Sequence, residues 1–441
     1  MTINQEYDVI IVGSGFTGLT AGLTLSSAGK KVLILESDYG PGGLGGTFRF
    51  SDGTEVEKFY HHWFNNDTHV NLVVEKLGMK DQIISLPSQT GIYYNKKIWQ
   101  LSSPMDLLKF SPLSLFERFL LGILVFRVRL IKDWKKLEHL SIEEWLIKLC
   151  GKKVYNVVWR PLVNSKFSEY APNVSAVWMW KKLVLRGGSR KKSGQEELSY
   201  FKGGFGRLAR AMANKIKENG STIVYNNKAL KIHLKKNKIT ALETKKGVYK
   251  GNNFLFTGSL PETSDILNNN LPQAEIKKLK RIQYLGNVCL VLQLTNSLSN
   301  TYWLNVNDSG FPFVGVIEHT NFDTSDNYKG KHIVYLSRYL STSNTIWSYN
   351  NEDYFNYAIV HLKRMFPEFS QKWVVDYGIW RSAYAQPVTE RNYSKLIPPE
   401  KLSFTNGYIS TMAHIYPEDR GTNYAMRNGE NIAKKIMREC F

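Results

Sequence analysis

Six residues near the N-terminus, Gly13-Ser14-Gly15-Phe16-Thr17-Gly18, constrain the fold more than any other part of the chain. They follow the apolar run Tyr7–Val12, open a helical pattern carried by Leu19, Leu23, Leu25 and Ala28, and precede a second apolar run, Lys31–Leu35. A short apolar run that stops at a glycine reads as a buried parallel strand. Strand, helix and strand joined by short turns form a right-handed crossover. Within it each glycine has a task. Gly13 permits the tight turn, Gly15 lets the backbone approach a pyrophosphate, and Gly18 lets helix and strand pack closely. The helix start, at Phe16 and Thr17, offers unpaired N–H groups and partial positive charge to phosphates. Glu36 stands at the end of the second strand, 18 residues after Gly18, with Ser37 beside it. Its carboxylate suits the two hydroxyls of an adenosine ribose and disfavours a 2′-phosphate. The pattern is that of a dinucleotide site, and it speaks against NADP.

A second glycine-rich stretch, Gly40-Pro41-Gly42-Gly43-Leu44-Gly45-Gly46-Thr47, follows a few residues later. It extends the backbone-lined surface and suits a ligand longer than NAD. Here the chain resembles the superfamily of FAD-dependent amine oxidases, protoporphyrinogen oxidases and phytoene desaturases. That family's motif after the acid is Gly-Gly-Arg-x-x-Thr; Gly42, Gly43 and Thr47 fit it, and Leu44 stands in the arginine position. The resemblance covers nearly the whole chain in outline. It implies FAD, and it places Ala229 on a strand beside the adenine, Gly258 after a strand that ends over the flavin, and Tyr416–Ala425 in the last FAD motif. In that motif Asp419, Thr422 and Asn423 are expected near the flavin, where a helix N-terminus would stabilise negative charge on the reduced ring. Phe201–Leu208 resembles the family's aromatic-x-Gly-Gly helix opening and is expected not to be a second nucleotide site, because no strand is predicted before it.

The resemblance also sharpens the chemistry by what is missing. No Lys lies between Leu285 and Leu298, where flavin amine oxidases hold a water, and no Cys lies between Phe404 and Arg438, so FAD is expected to be noncovalent. No second dinucleotide fingerprint supports NAD(P)H as co-substrate.

The rest of the chain divides by pattern. Leu101–Lys192 is mostly helical, with segments at Pro104–Phe110, Leu113–Leu137 and Ile142–Lys148. Strand-like runs return at Thr222–Tyr225, Leu230–Leu234 and Phe254–Thr257. Val288–Leu294, Val314–Ile317 and Ile333–Leu336 point to a second sheet. A short strand at Gly407–Ser410 and a helix over Thr422–Arg438 close the chain. The expected fold class is α/β: a discontinuous Rossmann-like FAD domain (1–85, 201–260 and 400–441) and an α+β substrate domain (86–200 and 261–399).

The 441 residues carry 58 Lys and Arg against 38 Asp and Glu, a formal charge of +20, which points to anionic partners without choosing among them. Charge alone is too little to support nucleic-acid binding. Cys150, Cys289 and Cys440 are too scattered for a disulfide framework or a zinc site. With no leader pattern at Met1–Glu6, the expectation is a cytoplasmic protein, with contact to the inner membrane surface left open. The basic run Arg186–Lys192, with Gly and Ser inside it, reads as a solvated loop. Phe119–Phe126 holds eight uncharged residues, well short of the ~20 of a membrane span. It reads as a buried helix, with a helix lying in a membrane surface as the alternative.

Candidate chemistry gathers at Phe59-Tyr60-His61-His62-Trp63-Phe64, a dozen residues past the glycine-rich loop. A neutral His61 or His62 could hydrogen-bond a flavin or relay a proton; packing without chemistry is the alternative. No metal is expected, because adjacent His residues point to opposite faces. The cluster is also similar to a segment of the UDP-galactopyranose mutases. Arg160 and Lys166 in the helical insert could bind an anionic substrate, or form structural ion pairs. Trp380, Arg381, Tyr384, His414 and Tyr416 could roof the substrate side. The reading favoured here is an oxidoreductase that removes a hydride from a C–H or C–N bond of a small organic substrate. The rival is a redox-neutral flavin-dependent mutase or isomerase of a nucleotide-sugar, serving surface polysaccharide biosynthesis.

Overall fold

The computed structural model describes residues 2–188, 197–267 and 270–441. Its first sheet runs in the order Thr222–Val224, Val32–Leu35, Thr2–Val12, Gly247–Phe256, Lys238–Thr244, Ala229–Lys235, and Gly407–Ile409 also pairs with Gly247–Phe256. The members around Thr2–Val12 are parallel, and the Ala229–Thr244 hairpin is antiparallel. Alternate side chains feed two cores. Val9, Ile11 and Ile34 enter one with helix α1 (Phe16–Ser27), while Ile10, Leu33 and Leu35 enter another with Phe254 and Phe256. All four residues of Val32–Leu35 are buried, as a strand covered on both faces must be. Each such side chain stabilises the fold by about 1.5–3 kcal/mol relative to exposure.

The second sheet runs Val374–Pro387, Tyr284–Leu294, His332–Leu340, Gly315–Glu318, Trp303–Val306, Thr90–Tyr94, Lys97–Gln100. A third sheet of Trp63–Phe64, Glu197–Phe201 and Ile83–Pro87 straddles the boundaries near 85 and 200.

Beyond α1 and α2 (Thr68–Lys76), the helical lobe comprises α3 (Pro104–Lys109), α4 (Leu115–Arg129), α5 (Ile142–Cys150), α6 (Lys152–Val154), α7 (Arg160–Phe167) and α8 (Ala176–Gly188). Ser103, Ser114 and Ser141 start α3, α4 and α5, each with an acid three residues on closing a capping box. Among the described residues there then follow α9 (Gly204–Glu218), α10 (Leu260–Leu267), the shorter α11 (Gln273–Leu279), α12 (Asn351–Met365) and α13 (Thr422–Cys440).

Three expectations are corrected. The helical pattern over Leu113–Leu137 breaks after Arg129 and resumes as a short 3-10 turn at Trp134–Leu137. The Phe119–Phe126 stretch is not a buried helix: of α4 only Leu124 and Val128 are buried, while Phe119 and Phe126 are 61% and 67% exposed. A strand, Glu197–Phe201, does precede Gly203–Gly204; its partners are antiparallel, so it makes no parallel crossover unit with α9. Of the basic run Arg186–Lys192, Arg186–Gly188 end α8 and the remainder lies outside the described residues.

Candidate active site

The first loop has the shape its glycines require. Gly13 sits at φ 101°, where an L side chain is strained, and a Cβ on Gly18 would lie 2.0 Å from the Gly13 carbonyl oxygen. The first helical bond of α1 is Leu19 N–H to Gly15 C=O, and no side chain caps the helix. The amides of Phe16, Thr17 and Gly18 therefore open the helix toward the loop. The second glycine stretch lies against them: Gly42 N–H donates to Ser14 C=O at 2.9 Å, and Gly42 bridges Gly15. Gly43–Gly45 form a 3-10 turn that includes Leu44, and Gly46 leads into the Thr47–Arg49 strand.

Glu36 is buried at the strand end. One carboxylate oxygen accepts from Ser14 N and Oγ at 2.7 Å each; the other accepts from Asp38 N at 2.8 Å and Ser37 Oγ at 3.2 Å. It therefore also locks the first loop to the end of the second strand. Asn227 N–H donates to the Glu36 carbonyl, which brings buried Ala229 to the same end. Thr257 Oγ donates to the Val12 carbonyl at 2.8 Å, and so sets Gly258 beside Gly13. This backbone-lined cradle, with an uncapped helix start and a buried acid, fits the pyrophosphate and ribose of a dinucleotide.

The start of α9 is a contrast. Glu57 accepts from Phe205 N and from Tyr200 Oη, both at 2.7 Å, so a carboxylate of the chain itself fills that helix N-terminus. Thr47 is engaged nearby, donating to Glu55 at 3.0 Å.

The aromatic segment lies beside the cradle. Phe205 packs edge-on against Phe16 and is touched by the rings of His61 and Trp63. His61 Nδ1 lies 2.6 Å from the Phe59 carbonyl, whereas His62 Nδ1 lies 2.9 Å from Tyr302 Oη and its ring meets Trp303. The two imidazoles thus contact different parts of the molecule. Burial lowers both. With Arg186, His61 and Lys182 adding positive charge, His62 falls to about 3, so it is a neutral ring at physiological pH.

A second group of charges forms where the loop before α13 meets the helical lobe. Lys182 of α8 lies 3.2 Å from Asp419, and Gln386 donates to the other Asp419 oxygen at 3.3 Å. Arg420 donates to Tyr339 Oη at 2.6 Å and to Gln386 at 2.9 Å. Lys166 of α7 sits over the Tyr339 ring, 4.2 Å from its centre. Burial would raise the Asp419 carboxyl, but Lys182, Lys166 and Arg420 hold it well below the usual carboxylate range. Burial likewise opposes ionisation of Tyr339, yet Arg420 and Lys166 bring it down to about 8, while the half-buried Tyr60 is raised. Burial lowers Lys182, with Asp419 opposing.

The structure separates the remaining candidates. Lys166 and Asp419 join the charge cluster; Arg160, at the start of the same helix as Lys166, is exposed and acts on Tyr155. Tyr416 donates to Glu138 at 2.7 Å, which ties the last loop to the lobe. Thr422 begins α13, but the Asn423 side chain accepts from His69 N and Val70 N at 2.8 and 3.2 Å, and so it closes the start of α2. Trp380 lies against Phe48, and Arg381 donates to Asn351 and the Tyr349 carbonyl. Tyr384 meets Tyr284, and His414 caps the Thr411 turn. Sequence reasoning missed Lys182, Tyr339, Tyr60 and Glu57 as site residues. Two lysines beside Trp178 and Trp180 were the one available signal.

A glycine-rich loop that opens a helix between parallel strands, in a mixed α/β fold with a second sheet and a helical lobe, matches the fold of flavin-dependent amine oxidases. Residues 16–403 match the family described as flavin containing amine oxidoreductase. The chain belongs to that family. Among curated relatives, prolycopene isomerase 1 of an Oncidium hybrid cultivar is 23% identical over 288 residues, 55% of this chain and 46% of the relative. The matched region thus spans about half the length of that relative. Two solved structures share the fold at 14% identity and a TM-score of 0.76. One, from Exiguobacterium sp. 255-15, is described as a protoporphyrinogen oxidase and is covered in full, as is this chain; the other is a reduced UDP-galactopyranose mutase, with 98% of this chain and 96% of that one covered.

Proposed function

We propose that this chain is an FAD-dependent oxidoreductase that holds FAD noncovalently and removes a hydride from a C–H or C–N bond of a small anionic substrate. The observation that carries the reading is the junction of Asp419 and Arg420, on the loop before α13, with Lys182, Lys166 and Tyr339 of the other domain. Three cations act on one carboxylate there, and the surplus positive charge suits an anionic group on the substrate. When bound, the flavin supplies the two-electron acceptor. The chain's own work is binding and orientation. Gly13–Gly18 and Gly42–Gly46 seat the pyrophosphate, Glu36 receives the ribose, and Lys166 and Lys182 hold the substrate's anionic end. The Tyr60, His62, Tyr302 and Trp303 side chains exclude water with aromatic and neutral groups.

A second reading, a redox-neutral flavin-dependent mutase or isomerase acting on a nucleotide-sugar, is favoured by the same surplus charge, which also suits a diphosphate. One experiment separates them: oxidised holoprotein is mixed anaerobically with carboxylate-bearing amines, polyene carboxylates and UDP-sugars. Bleaching of the flavin spectrum by one of them is the expected result. Turnover only after dithionite, with no net oxidation, overturns it in favour of the second reading.

A further inference from the structure

The outer face of α3 and α4 is apolar and open. On α4, Leu115 is 73% exposed, Phe116 68%, Phe119 61% and Phe126 67%, and Leu130, just past its end, is 78% exposed. On α3, Met105 and Leu108 are 59% and 56% exposed. At 100° per residue the α4 side chains fall on one stripe, opposite the buried Leu124 and Val128. From Phe116 to Leu130 that stripe runs about 21 Å, at 1.5 Å per residue. Among the described residues no helix is long and apolar enough to cross a membrane.

Cations border the stripe. Lys109, Arg127, Arg129 and Lys132 are all exposed. Arg127 and Arg129 donate to the carbonyls of Leu149 and Gly187, so these two contacts leave their positive charge unbalanced. The nearby acids are engaged as helix caps: Asp106 and Glu117 close capping boxes, and Asp133 accepts from Lys135 N. Glu117 also meets Lys153 at 3.4 Å. Bulky apolar side chains flanked by Lys and Arg, on a chain of net charge +20, complement negatively charged lipid headgroups above an acyl layer.

We propose that the α3–α4 face docks flat on an anionic lipid bilayer, with Phe116, Phe119 and Phe126 in the headgroup–acyl boundary. The face backs directly on the candidate site. Trp180 of α8 donates to the Val128 carbonyl at 3.0 Å, and two residues on, Lys182 reaches Asp419. Docking would therefore hold the helical lobe, and not the cofactor cradle, against the membrane.

The test is flotation of the full-length holoprotein with vesicles of equal parts phosphatidylcholine and phosphatidylglycerol, and with phosphatidylcholine alone. The expected result is co-flotation with the mixed vesicles, weakened by high salt and by the absence of phosphatidylglycerol. The pair Phe116→Glu and Phe119→Glu should cut the bound fraction by about tenfold or more. These positions are solvent-exposed, and unchanged flavin content and melting temperature verify folding. Lys109→Glu with Lys132→Glu supplies an independent arm that weakens binding only to the anionic vesicles. No flotation with either vesicle overturns the proposal. So does flotation indifferent to both variant pairs, or a dimer in solution that the Phe pair dissolves while lipid has no effect.

Discussion

The Gly13–Gly18 end of the molecule and the Lys182–Asp419 end meet negative charge by opposite means. At the first, the donors are backbone amides of one short loop, held in place by glycine geometry and by Glu36. At the second, the donors are long side chains from α7, α8 and the loop before α13, drawn together across more than 230 residues of sequence. Backbone donors are fixed once the loop folds, so they suit a cofactor that stays. Lysine side chains on two helices depend on the packing of both domains, and suit a ligand that comes and goes. The comparison teaches that the two halves of the site respond to different kinds of damage.

Gly18→Ala is expected to have the largest effect. Its Cβ would meet a backbone oxygen that cannot swing aside, a cost of about 3 kcal/mol. FAD titration should show affinity lower by about a hundredfold or the protein isolated without flavin. Next is Asp419→Asn, which leaves the cations unbalanced. A fully buried pair loses ~3–5 kcal/mol; because the Lys182 side chain is 32% exposed, about 1–2 kcal/mol is expected. The pH dependence follows. The folded Asp419 carboxyl lies below its ordinary 3.8, so its contribution is present above about pH 4 and is lost as pH falls below that. Denaturant melts between pH 5 and 3 should therefore lose less stability in Asp419→Asn than in the parent. If both fall equally, the cluster is not what stabilises this junction.

Asn423→Ala should cost about 1 kcal/mol, the loss of a helix cap, with FAD affinity unchanged. A fall in FAD affinity would return Asn423 to the cofactor end of the comparison. Of similar size is Tyr339→Phe, which takes the acceptor from the Arg420 hydrogen bond and should cost about 1 kcal/mol. Its readout is spectroscopic: an ultraviolet titration of the parent should show a phenol ionising near pH 8, and the variant should lack it.

Much of the cofactor end was legible because glycine spacing encodes backbone geometry directly. The parallel strands flanking Gly13, the acid at Glu36, and the second sheet through Val288–Leu294 all follow from local pattern. The charge cluster was not legible, since Lys182 and Tyr339 are recruited by packing that no local period reports. Asn423 shows the opposite case: a residue inside a familiar motif also closes the start of α2, a contact no local pattern reports. The α4 stretch misled because burial was inferred from an apolar run alone. Its Phe and Leu residues point both ways around the helix, and only the stripe with Leu124 and Val128 faces the core. Glu197–Phe201 escaped notice because antiparallel pairing with short, distant partners leaves little alternation to read.

The central claim is that the backbone cradle holds FAD without a covalent bond. Its most direct measurement is acid precipitation of the purified protein, followed by chromatography of what is released. The account predicts stoichiometric FAD in the supernatant and a colourless pellet. Flavin retained in the pellet, FMN or NAD in its place, or no cofactor even after reconstitution with FAD would contradict it.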